Sequence, residues 1–162
     1  MSNKKLLVNT LLLFVLIALQ FTVVPLLSLG TVVPNLPLIF VVYHSFRIKK
    51  TSALLLGFFV GIVIDLFLGG VIGASAFAMT IAAYIVTFIP SGFIDKEQFS
   101  LRFLTILFLS AGTYSFLYNL LDGEVFVNIF YAILYFGILP AFYTTALSVP
   151  LLFLHTEGII NE

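Results

Sequence analysis

Gly57-Phe58-Phe59-Val60-Gly61-Ile62-Val63-Ile64-Asp65-Leu66-Phe67-Leu68-Gly69-Gly70 is a strongly apolar run with two glycines four residues apart, a carboxylate four residues further on, and a glycine pair at its end. Residues spaced by four share one helix face, so Gly57 and Gly61 leave a groove that a neighbouring helix can approach closely. An aspartate in such a run is costly in hydrocarbon unless it faces the bundle interior, a partner or the interface. The stretch therefore reads as the packing seam of a membrane helix.

Composition agrees. The 162 residues are 62% hydrophobic and 9% charged, with a mean hydropathy of +1.23, whereas a soluble domain is roughly half apolar and about a quarter charged. This is an integral membrane protein, with length for about five to seven helices of ~20 residues in one compact bundle. Net charge is zero and basic residues are few, which leaves neither a nucleic-acid footprint nor a polybasic tail. The absence of cysteine excludes disulfides, thiolate catalysis and cysteine-ligated metals.

Working outward from the seam, turn chemistry divides the chain into six apolar segments, about 6–29, 33–46, 51–68, 74–89, 103–121 and 128–154, forming a single transmembrane helical domain over 1–162. Lys4-Lys5 ahead of the first segment resembles a signal peptide, but the apolar run is too long and lacks a small-residue cleavage site. Asn9, Gln20 and Pro25 interrupt that segment, and Ser28-Leu29-Gly30-Thr31 ends it. The second segment, opened by Pro34, Asn35 and Pro37, covers only about 20 Å as a helix against a core of roughly 30 Å, so it is either a thin span or a re-entrant piece. Gly69, Gly70 and Gly73 turn the third segment into the fourth, which Pro90-Ser91-Gly92 ends. Pro140 is expected to kink the sixth.

Charge decides the orientation. If all six segments cross and the N-terminus is cytoplasmic, Lys4, Lys5, Arg47, Lys49, Lys50, Lys96 and Arg102 all fall inside. If the second segment fails to cross, five of these seven move outside, against the positive-inside bias. Six crossings with both termini cytoplasmic are therefore expected.

Asp65 is the only acid within a span, about 21 Å from the start of its helix and hence in the outer half of the bilayer. It suits a proton or cation relay, a partner helix, or a hydrogen-bonded place in the bundle with Thr80, Tyr114 or Tyr118 as candidate partners. A relay needs several such groups in series, and the spans supply none. The Gly57/Gly61 ridge and the second spacing Gly69/Gly73 either join another membrane protein, a second copy included, or pack the chain's own helices. Internal packing is favoured, because the fourth segment offers Ala74, Ser75, Ala76, Ala78, Ala82 and Ala83. His44 and His155 lack a second ligand at helical spacing, so no metal site is expected. Tyr114/Tyr118 and Tyr131/Tyr135 read as packed aromatic faces. No nucleophile with its base and no phosphate-cradling loop is found, so neither an enzyme nor a cofactor is expected.

These residues carry a resemblance. Pro34-Asn35-Leu36, the basic turn from Arg47 to Lys50, Gly57-Phe58 with Gly61, Asp65-Leu66, and Gly73 with an alanine-rich helix ending in Tyr84 are similar to the rod shape-determining protein MreD family of bacterial inner-membrane proteins. The likeness covers about residues 30 to 90; Asn35 stands where an aspartate is more usual, and the turn from Gly69 to Gly73 is unusually apolar. The resemblance implies a non-enzymatic, multi-pass scaffold of the cell-elongation and peptidoglycan-synthesis machinery. Its partners would be MreC and, through it, MreB, RodA and a penicillin-binding transpeptidase, with the single transmembrane helix of MreC docking on the bundle.

The alternative from another class is the substrate-binding component of an energy-coupling-factor vitamin transporter, a bundle of similar size. Those proteins carry a small-residue motif on the first helix and polar outer loops. Here Leu11-Leu12-Leu13-Phe14-Val15-Leu16-Ile17 is bulky throughout, and the outer turns lack the convergent polar groups that select a ligand.

Overall fold

A computed structural model describes residues 3–28, 30, 32–88, 99–123 and 129–160. Leu29, Thr31, the Pro90-Ser91-Gly92 stop, the following loop up to residue 98 and the Glu124 to Asn128 stretch lie outside the described residues. Helices α1 (Asn3–Thr22), α2 (Leu36–Ser45), α3 (Lys50–Leu68), α4 (Ala74–Val86) and α5 (Phe99–Asp122) are followed by a last rod built from α6 (Ile129–Ala132), a π-helical stretch (Ile133–Ile138) and α7 (Leu139–Ile160). Among the described residues the protein is all-helical. Three stretches are long and apolar enough to cross a membrane, Lys50–Phe67, Leu101–Asp122 and Phe130–Pro150. The apolar helices Leu7–Thr22, Leu36–Ser45 and Ala74–Val86 are shorter.

Several expected boundaries move, each for a local reason. The first helix stops at Thr22 rather than near residue 29, because Pro25 draws Val24–Leu27 into a 3-10 turn. The second is only ten residues, about 15 Å long. The fourth ends at Val86, with Thr87 donating its amide back to Tyr84 in a tighter turn. The fifth starts at Phe99, four residues before the expected 103. In the last rod, where a simple kink at Pro140 was expected, a π-helical stretch runs up to Ile138, two residues before the proline, and the Leu139 amide reaches back five residues to the Leu134 carbonyl. At α spacing the Phe136 carbonyl would need the N–H that Pro140 lacks; widening the turn shifts that demand onto Ala141. The rod continues to Ile160, so His155 lies on its backbone and not in a separate tail.

The ten-residue α2 is the centre of the bundle. α2 contacts α1, α3, α4, α5 and α7, and Pro37, Leu38, Ile39, Phe40, Val41, Val42 and Ser45 are all buried. That explains its composition: an element surrounded by helices needs apolar residues on every side. The others alternate in direction around it. The start of α3 meets the end of α4, where Lys50 lies over Tyr84, and the end of α2 meets the start of α5, where Tyr43 and Phe46 face Phe103. At the opposite end, a Cβ on Gly70 would come within 3.5 Å of Asp122. α1 touches the bundle along one seam, leaving Leu7, Val8, Leu11, Phe14 and Val15 exposed.

Candidate functional site: two buried helix starts

The glycine ridge faces α4. A Cβ on Gly57 would sit 2.8 Å from the Met79 carbonyl oxygen and 3.2 Å from the Ala83 Cβ. One on Gly61 would sit 2.5 Å from the Ala76 amide nitrogen and 2.6 Å from the Ser75 carbonyl oxygen. Glycine at both places lets α4 lie against α3 backbone to backbone. With α4 covering the ridge, the groove is filled by the chain's own helix.

Asp65 is the next residue on the same stripe, and it is buried. Of the expected partners, Thr80 and Tyr114 are corrected, each donating elsewhere, and the carboxylate holds the start of α4. Its Oδ2 accepts from the amides of Gly73 (2.8 Å) and Ala76 (3.2 Å), and its Oδ1 from that of Ser75 (2.9 Å). Thr80 instead donates to the Ala76 carbonyl. The second glycine spacing is also corrected. Gly69 (φ 68°) ends α3 and Gly73 (φ 100°) begins α4, both in the left-handed region, and a Cβ on either would meet nothing within 4 Å. They serve the turn and form no packing face. An α-helix begins with four amides that have no intrahelical acceptor. Here Gly73, Ser75 and Ala76 use Asp65, while Ala74 uses the Val71 carbonyl. All are satisfied.

The start of α2 gives the same accounting with other groups. The Asn35 amide donates to Thr144 Oγ1 of α7 (3.1 Å) and the Leu36 amide to Gln20 Oε1 of α1 (2.8 Å). Pro37 has no amide hydrogen, and the Leu38 amide donates to Asn35 Oδ1 (2.9 Å). Gln20 Nε2 also donates to the Pro34 carbonyl (2.9 Å), so one side chain brackets Asn35 on both sides. Pro34, Asn35 and Pro37 are buried at this junction.

Tyr114 of α5 lies between the two starts, donating its hydroxyl to Ser75 Oγ at 3.4 Å and approaching the Asn35 side chain. No described buried side-chain nitrogen or oxygen lacks a partner, as expected where an unpaired polar group costs several kcal/mol in hydrocarbon. His44 lies apart from this network, with Nδ1 3.1 Å from the Phe40 carbonyl oxygen. No three His, Cys, Asp or Glu side chains gather among the described residues.

Gln20, Thr144 and the bonding role of Ser75 are what sequence reasoning missed. Gln20 registers there only as an interruption of an apolar run, although a lone amide in a span demands a partner. Thr144 carries no such signal.

What the fold and these contacts define is a helical membrane protein in which buried polar groups close the starts of two internal helices. The chain belongs to the rod shape-determining protein MreD family, whose model matches residues 2–156, and its role lies in rod-shape determination. Comparison with curated proteins and with solved structures returns no match.

Proposed function

We propose that the protein is a non-enzymatic scaffold of the bacterial cell-elongation machinery. In this reading it crosses the inner membrane six times with both termini cytoplasmic. It receives the transmembrane helix of MreC on a lipid-facing surface and, through MreC, reaches MreB, RodA and a penicillin-binding transpeptidase. Family membership supports the setting. The observation that carries the scaffold reading is the division of labour in the bundle. Gln20, Asn35, Asp65 and Thr144 are engaged at the starts of α2 and α4, while the outward faces of α1 and α3 are apolar, with Leu11, Phe14, Phe59 and Leu66 exposed. Gly57, Gly61 and Asp65 then act on a partner indirectly, by fixing α3 against α4.

The topology follows from charge. Arg47, Lys49, Lys50 and Arg102 share one end and Asp122 lies at the other, which the positive-inside bias assigns to cytoplasm and exterior.

The test is a mild-detergent purification of the tagged full chain from its native membrane, with co-purifying proteins identified by mass spectrometry. Recovery of MreC is expected. Recovery of a transporter's ATPases with no wall-synthesis protein overturns the scaffold reading in favour of vitamin binding.

A further inference from the structure

The basic end carries a second surface that the polar network does not use. Lys49 and Lys50 are exposed at the start of α3, two residues beyond the exposed Arg47. The Lys50 ammonium lies 4.5 Å from the ring centroid of Tyr84 and 5.1 Å from that of Phe88; Arg47 lies 4.3 Å over Tyr43. The aromatic rings restrain these cations without neutralising them. An ammonium has three donors, and a ring face occupies one side of it. The acids whose side chains the structure describes, Asp65 and Asp122, are both at the opposite end.

The surroundings are apolar. Tyr84 and Phe88 of the α4 end are themselves exposed, and Phe77 on the same α4 face together with Phe58, beside the glycine ridge on α3, continue an exposed apolar surface away from the lysines. A soluble anion would use only the cations. A molecule with an anionic head and two hydrocarbon chains uses the whole surface, head at Lys49 and Lys50, chains over Phe58 and Phe77. We propose that this α3–α4 surface binds an anionic phospholipid of the leaflet at the basic end, with Lys49 and Lys50 holding the headgroup phosphate.

The test uses the full chain in dodecyl maltoside, titrated with short-chain phosphatidylglycerol or phosphatidylcholine of matched acyl length and read by native mass spectrometry. Each basic residue near an anionic lipid surface is worth about a fivefold preference, so the wild type is expected to favour phosphatidylglycerol by at least about tenfold. The Lys49→Ser/Lys50→Ser double variant should fall to within about twofold of no preference, with phosphatidylcholine binding and thermal midpoint unchanged. Lys50→Arg, which keeps charge and stacking, should retain the preference. Lys96→Ser, flanked in sequence by Asp95 and Glu97, should also retain it. The wild type provides a readout independent of any variant: its preference must weaken as salt is raised. Equal binding of the two lipids, a preference indifferent to salt, or one that survives the double variant overturns the proposal. Displacement of phosphatidylglycerol by an equal concentration of inorganic phosphate overturns it in favour of a soluble anion.

Discussion

At the start of α4 a single carboxylate from the preceding helix serves three amides, all within eight to eleven residues of it. At the start of α2 the amides are shared among Gln20 of α1, Asn35 itself and Thr144 of α7, the last 109 residues away, while Pro37 removes one donor. Both starts lie inside an apolar bundle and neither leaves an amide unpaired. The difference is one of range. The α3–α4 pair carries its own cap and its own packing groove, so it is complete as a hairpin. The α2 start is complete only when α1 and α7 are in place, which makes the central helix the element most dependent on the rest of the fold.

The largest effect should come from the groove that precedes the local cap. Gly61→Ala would drive a Cβ into the backbone of Ser75 and Ala76 and part the amides from Asp65. The loss of stability should reach or exceed the top of the ~1–3 kcal/mol range for overpacking, measured by SDS titration in mixed micelles. Gly57→Ala meets the Met79 carbonyl at 2.8 Å and should cost less. Equal, small losses at both positions would mean that α4 has room to move and that the hairpin is not set by close approach.

Removing the cap itself comes next. Asp65→Ala strands three amides and should cost about 3 kcal/mol, at the scale of buried donors left unsatisfied. Asp65→Asn keeps one acceptor oxygen and should cost about 1–2 kcal/mol, the scale of interhelical hydrogen bonds in membranes. In hydrogen exchange the α4 amides should lose protection while those of α2 keep theirs. Loss of both together would erase the distinction between a local and a distributed start.

The same distinction governs what could be read from the residues. The spacing of Gly57, Gly61 and Asp65, followed by Gly69, Gly70 and Gly73, is a local pattern, and it placed the third helix, its turn and the start of the fourth within a residue. Which atoms Asp65 binds was not legible, because backbone amides are present at every position and Thr80, Tyr114 and Tyr118 had the conspicuous side chains. At α2, Pro34, Asn35 and Pro37 announce a helix start, but an acceptor 109 residues away leaves no periodicity to detect. The ends of α1 and α4 and the π stretch before Pro140 were missed for a further reason: apolar composition continues past each of them, and the termination is backbone geometry.

The distributed start should yield smaller, coupled losses. Gln20→Ala and Thr144→Val each remove part of the support for one short segment and should cost about 1–2 kcal/mol or less apiece. Combined, they should be non-additive, since both act on residues 34–36. Pro37→Ala is the sharper variant. It improves helix propensity but adds an amide hydrogen at a buried turn, so it should destabilise by about 1 kcal/mol. Stabilisation by Pro37→Ala would show that the α2 start reaches water.

The smallest effect concerns the link between the two starts. Tyr114 donates to Ser75 at 3.4 Å, long for a hydroxyl bond. Tyr114→Phe should therefore cost only about 0.6 kcal/mol, near the average for such bonds in a membrane protein. Its value lies in a cycle. If the phenol carries strain from the Asp65 cap to Asn35, the losses from Asp65→Asn and Gln20→Ala should couple in the wild-type background and become additive in Tyr114→Phe. If they are additive in both backgrounds, the two starts are independent despite the phenol between them, and the α3–α4 hairpin is energetically as well as geometrically self-contained. Coupling that survives Tyr114→Phe would have to pass instead through the direct packing of α2 on α4, where Leu38 and Met79 are fully buried in one core.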